Sequence, residues 1–104
     1  MHIAVAKLST MASSTCVYLL RCKDGTLYCG WTTDVERRLM AHNAGKASRY
    51  TSRRLPVRLV YTRQMADRSA AMREEARIKR LSRSEKLLLI RTSGLRSSPG
   101  RLTG

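Results

Sequence analysis

Phenylalanine is absent from this sequence, tryptophan occurs once and proline twice. Large aromatic surface must come from four tyrosines, Tyr18, Tyr28, Tyr50 and Tyr61, and the rest of any core must be aliphatic. No run approaches the ~18–20 consecutive apolar residues of a membrane-crossing helix, so no membrane partner is expected. The apolar stretch 3–6 stops at Lys7, too short for a secretory signal core, and residues 1–10 lack the arginines of a mitochondrial presequence. Cys16, Cys22 and Cys29 form an odd set without a C-x-x-C pair, and only His2 and His42 could complete a zinc site with them. Free thiols in a reducing compartment are the expectation, and the chain reads as cytoplasmic.

Acidic residues are also scarce, 7 against 21 Lys and Arg, and the formal net charge is +14. Sixteen of those 21 cations are arginine. Between Arg37 and Ala66 stand eight basic residues (Arg37, Arg38, Lys46, Arg49, Arg53, Arg54, Arg58, Arg63) and no acidic one. Such an imbalance attracts polyanions over a distance. Guanidinium grips phosphate with two parallel hydrogen bonds, which explains the preference for Arg over Lys. Nucleic acid is therefore the expected partner, with a solvated basic surface as the bland alternative. The sequence identifies no targeting protein partner.

A chain of 104 residues fits one domain with one modest core, and 42% hydrophobic content is enough to build it. Residues 1–14 and 92–104 read as flexible tails, the second basic and rich in Ser and Gly, leaving 15–91 as the folded domain. Residues 16–22 and 26–31 carry the β-branched and aromatic content of strands, separated by Lys23-Asp24-Gly25. A two-residue Asp24-Gly25 turn pairs Cys22 with Leu27 and puts Tyr18 and Tyr28 on opposite faces. A three-residue loop ending in a left-handed Gly25 pairs Leu20 with Tyr28 and Tyr18 with Gly30, on one face. The sequence permits both.

Thr33-x-x-Glu36 has the form of a capping box for a helix over 34–44 that stops near Gly45. On it Arg38 and His42 lie four apart and project together. Residues 46–55 read as a basic loop or short helix, Pro56 opens a strand over 57–61, and Asp67 caps a helix through Ile78 and Leu81. Ser82 or Ser84 starts a last helix. The expected class is α/β of the α+β type, a small three-stranded, mainly antiparallel sheet flanked by helices in the order ββαβαα.

Tyr18 in Cys16-Val17-Tyr18, with Tyr28-Cys29-Gly30 ten residues on, resembles the paired elements of the GIY-YIG nuclease family. The stretch 32–39 followed by His42 resembles that family's arginine-bearing helix, and Glu75-x-x-Ile78-Lys79 resembles its metal-binding segment. The order and spacing of the pieces make the likeness specific over residues 15–90. It departs from the pattern at Cys16, Val17 and Cys29, strand positions where small or β-branched residues are tolerated. No extra recognition domain accompanies it, as in small stand-alone members of the family.

The resemblance implies a divalent-metal-dependent endonuclease acting on DNA, with branched, nicked or damaged structures as candidate substrates and a link to DNA repair. It implies that Glu75 holds one Mg²⁺ or Mn²⁺ and that Arg38 stabilises charge on the phosphate. Tyr28 is then the candidate general base, Tyr18 orients it, and His42 is the competing base or a phosphate ligand. Gly30 lets backbone approach closely. Lys46, Arg49, Arg53, Arg54 and Arg58 form the expected phosphate grip. Helix phase places Glu74 nearer the apolar stripe and Glu75 at its edge, while motif register selects Glu75. The alternative is a non-catalytic DNA- or RNA-binding module on the same fold.

Overall fold

The computed structural model describes residues 14–93. Strands β1 (Cys16–Arg21), β2 (Leu27–Thr32) and β3 (Arg58–Gln64) form one antiparallel sheet in the order β2-β1-β3. Helices α1 (Val35–Asn43), α2 (Arg49–Ser52), α3 (Arg68–Lys79) and α4 (Arg83–Thr92) flank it. This is the expected three-stranded α+β class and order, with a one-turn helix inside the 46–55 segment. Apart from Ser14, Thr92 and Ser93, the two tails read from the sequence lie outside the described residues.

The central strand is apolar on both sides, because both sides are covered. Val17 and Leu19 point to the face packed with Cys29, Tyr61 and Ile78, which α3 and α4 close. Tyr18 and Leu20 point to the opposite face with Cys22 and Val57, closed by Val35 and Leu39 of α1. All three cysteines are buried free thiols.

The hairpin settles the question the sequence left open. Cys22 N–H donates to the Thr26 carbonyl and Gly25 N–H to the Cys22 carbonyl, each at 2.8 Å. Gly25 has φ +88°, a conformation that disfavours any side chain. The Asp24 carboxylate tightens the loop by accepting from Thr26 N–H at 3.0 Å and Thr26 Oγ1–H at 2.6 Å. The resulting register pairs Tyr18 with Gly30 and Leu20 with Tyr28, so both tyrosines face α1.

Helix starts follow their caps, with one correction. Asp34, not Thr33, caps α1 by accepting from Arg37 N–H at 3.1 Å, while Thr32 Oγ1 accepts from Asp34 N–H. The expected Thr33–Glu36 box gives way because Thr32 is buried at the end of β2 and turns the chain one residue later. Asp67 caps α3 as expected, and Ser82 with Glu85 forms a full capping box on α4. Strand β3 starts at Arg58 because the Asn43 side chain takes both backbone groups of Val57, at 2.8 and 3.1 Å.

Candidate active site

The site is built where the hairpin face meets α1 and α2. Tyr18 is 2% exposed and its hydroxyl lies 2.9 Å from His42 Nε2. His42 is itself buried, and its Nδ1 lies 2.8 Å from Thr51 Oγ1 on α2. Thr51 is fully buried and its hydroxyl donates to the Ser48 carbonyl at 3.3 Å. A hydroxyl has one proton, so Thr51 Oγ1 accepts from His42 Nδ1–H and leaves the Nε2 lone pair to accept the Tyr18 O–H. Burial lowers the His42 pKa below the usual imidazole value, with the Arg38 charge adding to it. Burial, then the neighbouring Tyr28, raises the Tyr18 hydroxyl above the usual phenol value, against the pull of Arg38. Both groups stay neutral and locked together.

Tyr28 is the more accessible of the two motif tyrosines. Its ring meets His42 edge-on at 5.1 Å between centroids and stacks with Tyr50 at 6.0 Å. Arg54 lies 3.8 Å over the Tyr50 ring, fixed there by Asp24 at 3.1 Å and by the Tyr50 carbonyl at 2.8 Å. Gly30 sits opposite Tyr18, and the space a Cβ would need there is taken by the Tyr18 ring. The close approach that glycine permits is therefore made by this chain's own tyrosine.

Arg38 is exposed on α1 and its charge acts on both Tyr18 and His42. It also lines two clefts at the end of β2, one with Arg37 and Asp34 and one with Trp31 and Arg68.

The two neighbouring glutamates divide cleanly. Glu74 points inward with Ala71 and Ile78, as helix phase implies, and its carboxylate is gripped by Arg77 at 2.7 and 3.0 Å and by Arg63 at 3.3 Å. The Arg77 hydrogen bonds hold it below the usual carboxylate range. Glu75 lies at the stripe edge, partly exposed and bridged to Lys79 at 3.4 Å. Its charge raises the pKa of Tyr18, and helps burial push the Cys29 thiol up to about 12, so its carboxylate stands within electrostatic reach of both. Among the described residues no three His, Cys, Asp or Glu converge on one point. A hard cation that keeps most of its waters and takes one protein carboxylate fits Glu75, whereas Glu74 is already saturated by arginine.

Lys46, Arg49, Arg53 and Arg58 are exposed, whereas Arg54 is occupied in bracing Tyr50 and the hairpin. Sequence reasoning missed Thr51, Tyr50 and Lys86. Ser48 caps the short helix that carries Thr51, but nothing in the sequence there pointed to His42.

The chain matches the GIY-YIG catalytic domain over residues 14–87 and belongs to that family. The family is one of nucleases, generally dependent on a divalent metal, so this is a nuclease-type domain whose substrate class is nucleic acid. Among its relatives are small proteins of the UPF0213 group. The UPF0213 protein SH2523 of Staphylococcus haemolyticus is 51% identical over 74 residues, covering 71% of this chain and 90% of that one. The UPF0213 protein VNG_2274C of Halobacterium salinarum is 53% identical over 70 residues, covering 67% and 91%. The solution structure of the UPF0213 protein BH0048 from Bacillus halodurans aligns with a TM-score of 0.51 at 45% identity, covering 78% of this chain and 87% of that one. That of EF2693 from E. faecalis gives 0.53 at 40%, covering 80% and 88%. Among the described residues no helix is long and apolar enough to cross a membrane.

Proposed function

We propose that this protein is a divalent-metal-dependent endonuclease that hydrolyses phosphodiester bonds in DNA, with branched, nicked or damaged structures as its candidate substrates. The observation that carries the reading is the buried Tyr18–His42–Thr51 hydrogen-bonded chain, with Tyr28 against it and the charges of Arg38 and Glu75 acting on it. A structural core has no need for a tyrosine, a histidine and a threonine linked in series, since each buried polar group costs free energy unless it is satisfied.

In this reading Tyr28 takes the proton of the attacking water. Tyr18 cannot do so readily, because its own proton is directed at His42 Nε2. Its oxygen instead presents lone pairs that orient Tyr28 and the water. His42 has both ring nitrogens engaged and acts by holding Tyr18, not as a phosphate ligand. The Arg38 guanidinium stabilises charge that develops on the non-bridging oxygens. Glu75 holds Mg²⁺ or Mn²⁺, which when bound neutralises charge on the scissile phosphate and leaving oxygen. The products are a 3′-hydroxyl and a 5′-phosphate. Lys46, Arg49, Arg53 and Arg58 hold backbone phosphates, with Arg54 and Gly30 contributing by shaping the site, and give affinity without sequence readout.

The rival is a non-catalytic binding module, favoured by one contact: Lys79 already neutralises Glu75. That bridge is half-exposed and weak, so a divalent cation displaces it easily. A nicking assay on supercoiled and branched DNA with Mg²⁺, Mn²⁺ or EDTA decides between them. Metal-dependent cutting that Glu75→Ala abolishes, with DNA binding retained, is the expected result. Binding without cutting in any metal would establish the rival.

A further inference from the structure

Aromatic surface is scarce in this chain, and what is not buried gathers along one strand. Tyr18 and Tyr61 are in the core. Tyr28 and Trp31 belong to β2, and Tyr50, 37% exposed, stacks on Tyr28 with 26° between the ring planes. The two flanking rings each carry a guanidinium, Arg54 at 3.8 Å over Tyr50 and Arg68 at 5.6 Å from the centre of Trp31. Strand β2 is at the sheet edge.

Side chains alternate along a strand, so Tyr28 lies on the α1 face and Trp31 on the α3 face. Two clefts wrap round the edge between those faces. One, of about 260 Å³, has Tyr28 and Tyr50 on one side and Lys79 and Lys86 on the other. The second, of about 360 Å³, joins Trp31 to Arg68 and Arg38. Each cleft thus combines a ring with cations, and two of the groups assigned to the reaction, Tyr28 and Arg38, line them.

Rings interleaved with cations at this spacing match unpaired nucleic acid, whose bases offer free faces and whose phosphates alternate with them. A duplex hides its base faces in the stack and uses only the cations. We infer that the edge of β2 is a binding site for a single nucleic-acid strand. One base packs in the Tyr28–Tyr50 cleft and another against Trp31, with the phosphates between them on Lys79, Lys86, Arg38 and Arg68. The guanidiniums over Tyr50 and Trp31 hold the rings in place beforehand, so little ordering is left for binding. The inference rests on the nuclease reading only in naming which phosphate is cut: the substrate is unpaired at the cleavage position.

Trp31 is the sole tryptophan and reports directly on its own cleft. The experiment titrates the full chain in EDTA, where no cutting occurs, with a short oligothymidylate and with a blunt duplex of the same length. The single strand should quench Trp31 emission and bind more tightly than the duplex at equal salt. By anisotropy of a labelled oligothymidylate, Tyr50→Ala, which removes a wall of the first cleft, and Trp31→Ala should each weaken single-strand binding about ten-fold, the order of one lost base–aromatic contact. Tyr50→Phe and Trp31→Phe, which keep a ring and the packing, should restore most of it. Equal or tighter duplex binding would overturn the inference, as would unchanged single-strand affinity in both alanine variants. Metal-dependent cutting within fully paired DNA would overturn it while the nuclease reading stands. Single-strand preference without cutting would do the reverse.

Discussion

Replacing Gly30 with alanine tests the geometry at the centre of the site. A Cβ built at Gly30 lies 2.6 Å from the Tyr18 hydroxyl oxygen and 2.8 Å from its Cζ. Carbon atoms pack at roughly 3.5–4.0 Å, so the ring or the strand must move by about 1 Å. The ring has little freedom to do so, being 2% exposed, directly across the β1–β2 pair and tied to His42 at 2.9 Å. Overpacking of this kind costs about 1–3 kcal/mol, and loss of the buried hydrogen bond adds about 1 kcal/mol. Alanine recovers about 0.5–1 kcal/mol through lower backbone entropy in the unfolded chain. The net expectation is a destabilisation of about 1–3.5 kcal/mol, or roughly 4–28 °C in Tm for a domain of this size. Urea unfolding with an unchanged m-value measures it. In a Tyr18→Phe background the nearest clash and the hydrogen bond are both gone, so the same substitution should cost about 1 kcal/mol less. A Gly30→Ala protein as stable as wild type would refute the register and the Tyr18 placement together.

Thr51→Val keeps shape and removes the acceptor for His42 Nδ1–H. It should cost about 1–3 kcal/mol for the stranded buried donor, and nitrogen-15 NMR of the imidazole should show the Nδ1–H tautomer in wild type shifting towards Nε2–H in the variant. An Nε2–H tautomer in wild type would reverse the proton order assigned to the chain. Glu74→Ala should lower stability by about 1–2 kcal/mol, since its arginine partners are half-exposed and rehydrate, while metal-dependent cutting by the folded fraction persists. Glu74 also has a pH signature. Its folded pKa lies below the usual 4.5, so its contribution is complete above that value and is lost as pH falls through the folded pKa. The acid limb of a stability–pH curve should therefore flatten in Glu74→Ala, and an identical limb would show that the carboxylate is not held by Arg77. His42, with its folded pKa lowered from 6.5, adds a similar loss that begins higher, as pH falls below the unfolded imidazole value.

Much of the frame was legible because local chemistry and tertiary demand agree. The apolar run of β1 and Asp67 before α3 each specify one outcome, and each is found; of the two serines that could start α4, Ser82 does so. Where two local solutions existed, a neighbour decided. Thr33 and Asp34 can both cap a helix, and the buried Thr32 at the end of β2 selects Asp34. Val57 reads as a strand residue, but Asn43 captures its backbone. Glu74 and Glu75 were distinguishable by phase, and helix spacing also offers Arg77 to Glu74, but its other partner, Arg63, comes from β3, which no periodicity predicts. Thr51 was illegible for the same reason. Its role is defined by a histidine nine residues away that α2 brings back, and a threonine in a basic stretch carries no local mark of burial.

The three loop residues Lys23, Asp24 and Gly25 control more of this site than their own chemistry suggests. A strand pair that slips by one residue turns every side chain to the other face. With a two-residue turn Tyr28 would lie under α3 with Ile78, and Tyr18 would face His42 alone. With the loop Lys23-Asp24-Gly25, Tyr28 and Tyr18 lie together against His42, Gly30 faces the Tyr18 ring, and Trp31 falls on the other side of the same edge. The positive φ of Gly25 and the two hydrogen bonds from Thr26 to Asp24 fix that choice. Arg54 then ties Asp24 to Tyr50, coupling the turn to the cleft beside Tyr28. Asp24 is exposed and its carboxylate touches none of the groups assigned to the reaction. It nonetheless connects the register that assembles the tyrosines to the ring that flanks them, so the geometry of the candidate site is set by a turn on the surface.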